Sequence, residues 1–523
     1  MMPGLEPVAL GGALRGANRY LLAVGFGAVA IAGQFLTGTD PVVALLLGIA
    51  LTAGLAAVTA AGGSRTLLGV LNLALVAKFL LFAVVLKILV REPVDVNLEA
   101  PVETSLAMAI GFVSVFLASA AQKFLPQPKR WMIPRLDRPD LYLIAAVLCF
   151  LIGYPAWYAG FASGFDGENR VGGFLGIMRS AGLLRHVTVP ALMLFLWARG
   201  SQRFLSHPAV ILLSLVAVLV GVFSTAKQDI LAPLVGILLV TYLRYGIWYR
   251  PTWVGAGVVV LLYSTVIYPY SQFVRFEGGR DGGLTDRAEA AYRVMSTLVT
   301  DEQFRQSLME QNKVWAAQTG AFFNNPVLSN TERFTMVREA DRLIAATKAS
   351  QSFTEWRTLT WGLQMLAPRV LFPDKPAHGP GNFLAHEAGG ILSDDDDTTQ
   401  ISFGFMANLY NAFGLMGVTL GSALLVLIFY KFLMLCVPNG LAFNLWGILF
   451  AMEFQHGFIE YPIGSLIAAL VVIPVLIAVA FMVLILGRLL NLSSPLPANM
   501  LPARLDWAAV WSARRARLRV SGQ

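Results

Sequence analysis

The chain encodes an all-α, polytopic membrane protein, and three observations carry that class. First, of its 523 residues 56% are hydrophobic and 13% charged, where a soluble domain carries roughly 25% charged residues. Second, the mean hydropathy is +0.65, and apolar runs close to the ~20 residues that cross a hydrocarbon core recur along the chain. Third, basic residues collect in alternate connections, the pattern of loops held on the cytoplasmic side. The net charge of +8 therefore reads as orientation in a membrane, and no nucleic-acid partner is expected.

Spans are expected near 20–38, 41–61, 67–90, 102–120, 140–161, 181–198, 208–224, 228–246, 252–271, 405–430, 437–455 and 460–487, about twelve in all. Tyr20 to Leu36 is apolar but lacks a small-residue cleavage site before a soluble domain, so it reads as a span rather than a signal peptide. The run at 437–455 is the poorest, because it holds Asn444 and Glu453. With Arg15 and Arg19 in the cytoplasm, alternate connections carry Arg65; Lys123, Lys129, Arg130, Arg135 and Arg138; Arg199 and Arg203; Arg244 and Arg250; and Lys431. The opposite connections carry Asp40, then Glu92, Asp95, Glu99 and Glu103, then Asp166 and Glu168. Both termini are accordingly expected in the cytoplasm. Lys78 and Lys87 lie inside the third run; Lys87 can snorkel to the interface and Lys78 can pair within the bundle.

This layout divides the chain into an N-terminal bundle (1–271), a large outer loop (272–404), C-terminal membrane helices (405–487) and a basic cytoplasmic tail (488–523). The loop is the one long polar segment, too long for a passive connection. Asp281 to Thr347 has a helical pattern, with Ser329 or Asn330 able to cap a helix and Phe334, Val337, Leu343 and Ile344 at helical spacing. Phe353 to Leu366, with Trp356 and Trp361, suits a helix at the membrane interface or one packed on its neighbours. From Met365 the chain turns cationic and rich in Gly and Pro, then enters the apolar run at 405–430 with no polar break. In the tail, Trp507, Trp511 and several arginines suit an anionic inner leaflet.

The two cysteines, Cys149 and Cys436, sit in or beside apolar runs and read as buried thiols. Neither a disulfide framework nor a zinc site fits them, and no residue spacing recommends a metal. The run Asp394 to Asp397 can bind a divalent cation through oxygens, but also suits a solvated turn, the reading adopted here. Several cations on an outer surface would hold a phosphate or diphosphate, arginine with bidentate geometry. Arg275 follows the ninth run, Arg333 lies in the helical part of the loop, and Lys227 sits in the hairpin Ser224 to Asp229. Arg179 and Arg185 belong to another outer connection, while Arg280 and Arg338 suit surface ion pairs. Arg369 stands between Pro368 and Pro373, a pre-set backbone that fixes the cation where reaction charge develops, and Lys375 follows. His378, His386 and Glu387 are candidate bases, although each taken alone also fits a solvated loop side chain. Asn382 and Thr399 are neutral hydrogen-bonders suited to sugars, and Asn408 and Tyr410 open the following run on the same side. Tyr410 equally suits an aromatic belt.

Four pieces in order resemble the bacterial oligosaccharide repeat-unit polymerases, the Wzy-type enzymes of O-antigen and exopolysaccharide assembly. They are Pro-Arg-x-Leu-x-Pro-x-Lys-Pro from Pro368 to Pro376, Gly381-Asn382, Thr399-x-Ile-Ser-x-Gly to Gly404, and Asn408-Leu-Tyr-Asn-Ala-Phe-Gly-Leu-Met-Gly417. The Ser224 to Asp229 hairpin is a weaker match. The resemblance implies a glycosyltransferase of the bacterial inner membrane with its large loop in the periplasm. The donor would be an oligosaccharide on undecaprenyl pyrophosphate and the acceptor a second lipid-linked repeat unit. The acceptor hydroxyl attacks the donor's anomeric carbon and the lipid pyrophosphate leaves, with no metal, nucleotide sugar or other cofactor. Arg369 and Lys375 would bind pyrophosphate, joined by Arg275, Arg333 and Lys227, and a protein that regulates chain length is a possible partner. Two other readings stay open: a ligase or related lipid-linked-sugar transferase, and a flippase or transporter for the same lipids. A transporter should show repeated halves, and no repeat is evident.

Overall fold

The computed structural model describes residues 7–491 apart from 127, 163–172, 202, 225–226, 247–248, 277–283, 308–309, 311–321, 325–331, 333, 367–379, 389–390, 394–395, 397–398 and 400. Among the described residues every regular element is helical, and one isolated bridge joins Thr66 to Gly440. Nine helices among the described residues are long and apolar enough to cross a membrane.

The apolar runs fold in order as α1 (Pro7–Thr37), α2 (Pro41–Ala60), α3 (Leu67–Leu89, with a π turn at Ala77–Leu81), α4 (Pro101–Ala121) and α5 (Pro139–Ala162). Then come α6 (Gly173–Gly182), α7 (Arg185–Ala198), α8 (Pro208–Phe223), α9 (Lys227–Tyr245) and α10, which runs Arg250–Leu262, through a π turn at Tyr263–Ile267, into Tyr268–Phe276. Four helices follow: α11 (Leu284–Thr300), α12 (Val337–Ser350), α13 (Arg357–Leu366) and α14 (Pro380–Ala388). The C-terminal part is α15 (Phe405–Cys436), α16 (Leu445–Glu460) and α17 (Pro462–Leu489). Leu212, Leu215 and Leu219 on α8, like Val254 and Leu261 on α10, are exposed, as expected of a bundle whose solvent is lipid.

Hydrogen bonds sort the connections into two ends. At one end Leu67 N–H donates to Asn439 O (2.7 Å), Leu441 N–H to Arg65 O (3.1 Å) and Met132 N–H to Leu435 O (2.9 Å), and Ser64 bonds Tyr242. These are the connections rich in arginine and lysine. At the opposite end Asp40 N–H donates to Asp95 (2.8 Å) and Asn324 N–H to Glu92 (3.0 Å). Asp341 of α12, fully buried, caps α4 there by accepting from Glu99 N (2.5 Å), Ala100 N (3.1 Å) and Thr104 Oγ1 (2.7 Å). The loop helices are thus tied to the acidic end.

Several expectations change in detail. Lys87 does not snorkel; it is fully buried, 3.0 Å from Glu92 and 4.7 Å from the Phe322 ring centroid. Arg338 is likewise buried against Glu332 at 3.0 Å rather than on the surface. The poorest expected span begins late. Phe443 takes φ 52°, Asn444 caps α16 through Gly447 N (3.0 Å), and the helix runs on to Glu460. α15 is broken at Phe413–Gly414, where φ and ψ leave the helical region. The carbonyls freed there, Asn411 and Ala412, accept from Thr354 N (3.0 Å) and Glu355 N (3.1 Å), so neither is left without a donor. Trp361 is buried and stacks on Phe383, whereas Trp356 is exposed beside Phe413. Cys149 and Cys436 are buried free thiols.

Candidate functional site

α16 carries Glu453, His456 and Glu460 at i, i+3 and i+7, the spacing that puts side chains on one helix face. Two polar clusters form along that face.

The deeper cluster joins α7, α9 and α16. His186 Nδ1 lies 2.5 Å from Glu453 Oε1. Its Nε2 is 3.4 Å from Asp229 Oδ1, an electrostatic contact that makes no hydrogen bond. Arg185 pairs with the other Asp229 oxygen at 2.7 Å, donates to Gly182 O (2.9 Å) and lies over the Trp157 ring. His186 is 7% exposed. Such charges persist inside a bundle only when paired. With a protonated imidazole, two cations face two carboxylates and the cluster is neutral.

The shallower cluster is built on Glu460, at the C-terminus of α16. Its Oε1 pairs with Lys78 Nζ at 2.8 Å. Its Oε2 lies 2.9 Å from His456 Nε2 and accepts from Ser402 Oγ at 2.5 Å. Its backbone carbonyl accepts from Asn408 Nδ2 at 3.0 Å. Lys78 therefore does pair within the bundle. It lies in the π turn of α3, where its own carbonyl accepts from Met336 N (3.0 Å). Asn408 Oδ1 is buried and has no hydrogen-bond partner. His456 is the open member, its side chain 48% exposed.

Of the described residues chosen from sequence, Asn408 alone joins this site. Asn382 and His386 on α14 brace the loop instead. Asn382 Nδ2 donates to Asp396 O (2.8 Å) and Thr399 O (3.1 Å), and His386 Nε2 lies 3.1 Å from the same Asp396 carbonyl. A carbonyl only accepts, so that nitrogen carries the proton. Thr399 N–H donates to Asp396 Oδ1 (2.9 Å), closing the turn. Glu387 pairs with Arg357 at 2.5 Å. Tyr410 is half-buried on the second turn of α15. Lys227 opens α9 with its ammonium 6.0 Å from the Tyr268 ring centroid. Arg275 falls in the last turn of α10, with its side chain outside what is described. Arg333, Arg369, Lys375 and His378 lie outside the described residues.

His186, Glu453, His456 and Glu460 were not chosen. Glu453 looked like a flaw in a span, His186 lies inside an apolar run, and His456 falls in the short gap between the runs at 437–455 and 460–487. The signal that could have found them is the i, i+3, i+7 spacing of ionisable residues in one membrane segment, which marks a functional face by default.

No protein-family model, curated protein or solved structure matches the chain. Fold and site alone define the class: a helical membrane protein with a network of ionisable groups along one helix, open at the end where the loop helices gather.

Proposed function

We propose that the chain is a membrane glycosyltransferase of the Wzy type. It moves an oligosaccharide from undecaprenyl pyrophosphate onto a second lipid-linked repeat unit at the periplasmic face of a bacterial inner membrane, building O-antigen or exopolysaccharide. On this reading α8, α9 and α16 join the nine longer helices as spans, giving twelve crossings. Both termini are cytoplasmic, residues 272–404 face the periplasm, and the arginine-rich end of the bundle faces the cytoplasm. The observation that carries the reading is a convergence: two residues inside the polymerase-like segment meet at Glu460, Ser402 on the carboxylate that also faces His456 and Asn408 on the backbone carbonyl. A sugar hydroxyl attacking an anomeric carbon needs an open acid–base group of that kind. Arg369 and Lys375, with Arg275, Arg333 and Lys227, supply the charge that holds the leaving pyrophosphate.

A gel of surface polysaccharide from a strain lacking the gene, beside its parent, tests the reading. Single-repeat products with no ladder are expected. Long polymer left on the lipid carrier would instead make the protein a ligase, and single repeats trapped on the cytoplasmic side a flippase. Complementation with Arg369→Ala should leave the protein in the membrane and restore no ladder; normal polymer from that variant would remove Arg369 from the site.

A further inference from the structure

We propose that His456 is the general base of the transfer and that Glu460 and Lys78 are the residues that position it, an assignment that rests on the polymerase reading above.

A base at this step needs a lone pair open to substrate, a fixed tautomer and surroundings that favour the cation it becomes. His456 meets all three. Its Nε2 lies 2.9 Å from Glu460 Oε2 in an ion-pair contact, and the negative charge there favours the tautomer with the proton on Nε2, leaving the lone pair on Nδ1. Among the described residues Nδ1 has no partner, and the side chain is about half exposed. The charge that forms on protonation faces Glu460 and the C-terminal, negative end of α16. The Glu460 carboxylate is itself held by Lys78 on one oxygen and Ser402 on the other, and its backbone carbonyl by Asn408, so the imidazole is oriented by a carboxylate fixed at both oxygens.

Among the described residues the other candidates are occupied or misplaced. His386 spends its Nε2 on the Asp396 carbonyl, Glu387 pairs with Arg357, and His186 is buried against Glu453. His207 caps α8 at the arginine-rich end by accepting from Ala209 N. Asn408 adds an independent sign of a ligand. Its Nδ2 is committed to the Glu460 carbonyl, while its buried Oδ1 has no partner. A buried acceptor of this kind costs free energy until a donor arrives. A sugar hydroxyl or acetamido N–H of the acceptor would meet it beside the base.

In the step itself, the acceptor hydroxyl passes its proton to His456 Nδ1 as its oxygen bonds the donor's anomeric carbon. The bond from that carbon to the pyrophosphate oxygen breaks, and its electron pair leaves with the pyrophosphate. The imidazolium returns the proton to water once product has gone.

The test uses the full-length protein in proteoliposomes supplied with lipid-pyrophosphate-linked repeat units, with rates measured across substrate concentration. His456→Ala should lose about 10²–10⁴-fold in rate while remaining monodisperse, and added imidazole should restore part of it. Glu460→Gln removes the charge that orients the imidazole. It should therefore lower kcat with KM little changed, the split expected of a residue that positions the base and does not bind substrate. An undiminished rate in His456→Ala, no rescue of that folded variant by imidazole, or an unchanged kcat in Glu460→Gln would each overturn the assignment. If the wild-type protein forms no polymer in this assay, the polymerase reading fails first, and the assignment with it.

Discussion

His186 Nδ1 and Glu453 Oε1 lie 2.5 Å apart, closing a buried circuit that continues through Asp229 to Arg185. Removing one member leaves its direct partner without that counter-charge in a low-dielectric interior, at a cost of about 3–5 kcal/mol. Glu453→Ala should therefore sharply lower the yield of folded protein in detergent and its thermal midpoint. Replacing both partners with leucine should cost less than the sum of the single changes, since no lone charge then remains between them. A double variant no better than that sum would mean the pair carries no coupling.

Asp341 gives the loop its firmest tie to the membrane helices. Asp341→Ala strips acceptors from two backbone N–H groups and the Thr104 hydroxyl. The expected loss is about 1–3 kcal/mol, with faster hydrogen exchange confined to the start of α4 and to α12. Asp341→Asn keeps one acceptor oxygen and should fall between wild type and alanine. Unchanged exchange at Glu99 and Ala100 would show that the cap is not what fixes α12.

His386 and Asn382 share the Asp396 carbonyl, so their contributions should not add. Each alanine substitution should cost about 1 kcal/mol of stability, and the double variant less than twice that. If His386 only braces the loop, His386→Ala should make polymer in proportion to its folded protein. Lost polymer with an unchanged melting curve would restore His386 as a base.

The sequence expressed the helices well and the site poorly, for separable reasons. Apolar length is a local property, so the runs could be read one at a time and the alternating charges checked them. Three π turns, at Ala77–Leu81, Tyr263–Ile267 and Gly417–Gly421, and the Phe413–Gly414 break interrupt those helices without ending their apolar runs. The site is a matter of pairing at long range. Lys78 and Glu460 are 382 residues apart, and His186 and Glu453 are 267 apart. Hydropathy averages such residues into the spans that hold them. Asn444 shows the same limit, since it looked like a flaw in a span and is the cap of α16. Asn408 was legible because it sits in a short polar segment whose order resembles a known family.

Gly404 is where that segment depends on a single residue. Its φ of +84° and ψ of 150° suit only glycine, and an added Cβ would lie 2.2 Å from the Phe79 ring. Ser402 lies two residues before it, and Asn408 sits one turn after, its N–H bonded to the Gly404 carbonyl (3.0 Å). Any shift here moves both off Glu460. Gly38, with φ +88° and nothing within 4 Å of an added Cβ, is the natural control, since alanine there meets only the backbone penalty of about 1–2 kcal/mol. Gly404→Ala should cost distinctly more than Gly38→Ala in thermal midpoint. At temperatures where both remain folded, it alone should abolish polymer. Equal melting curves and equal ladders would mean the chain entering α15 can relax away from Phe79 without disturbing Glu460.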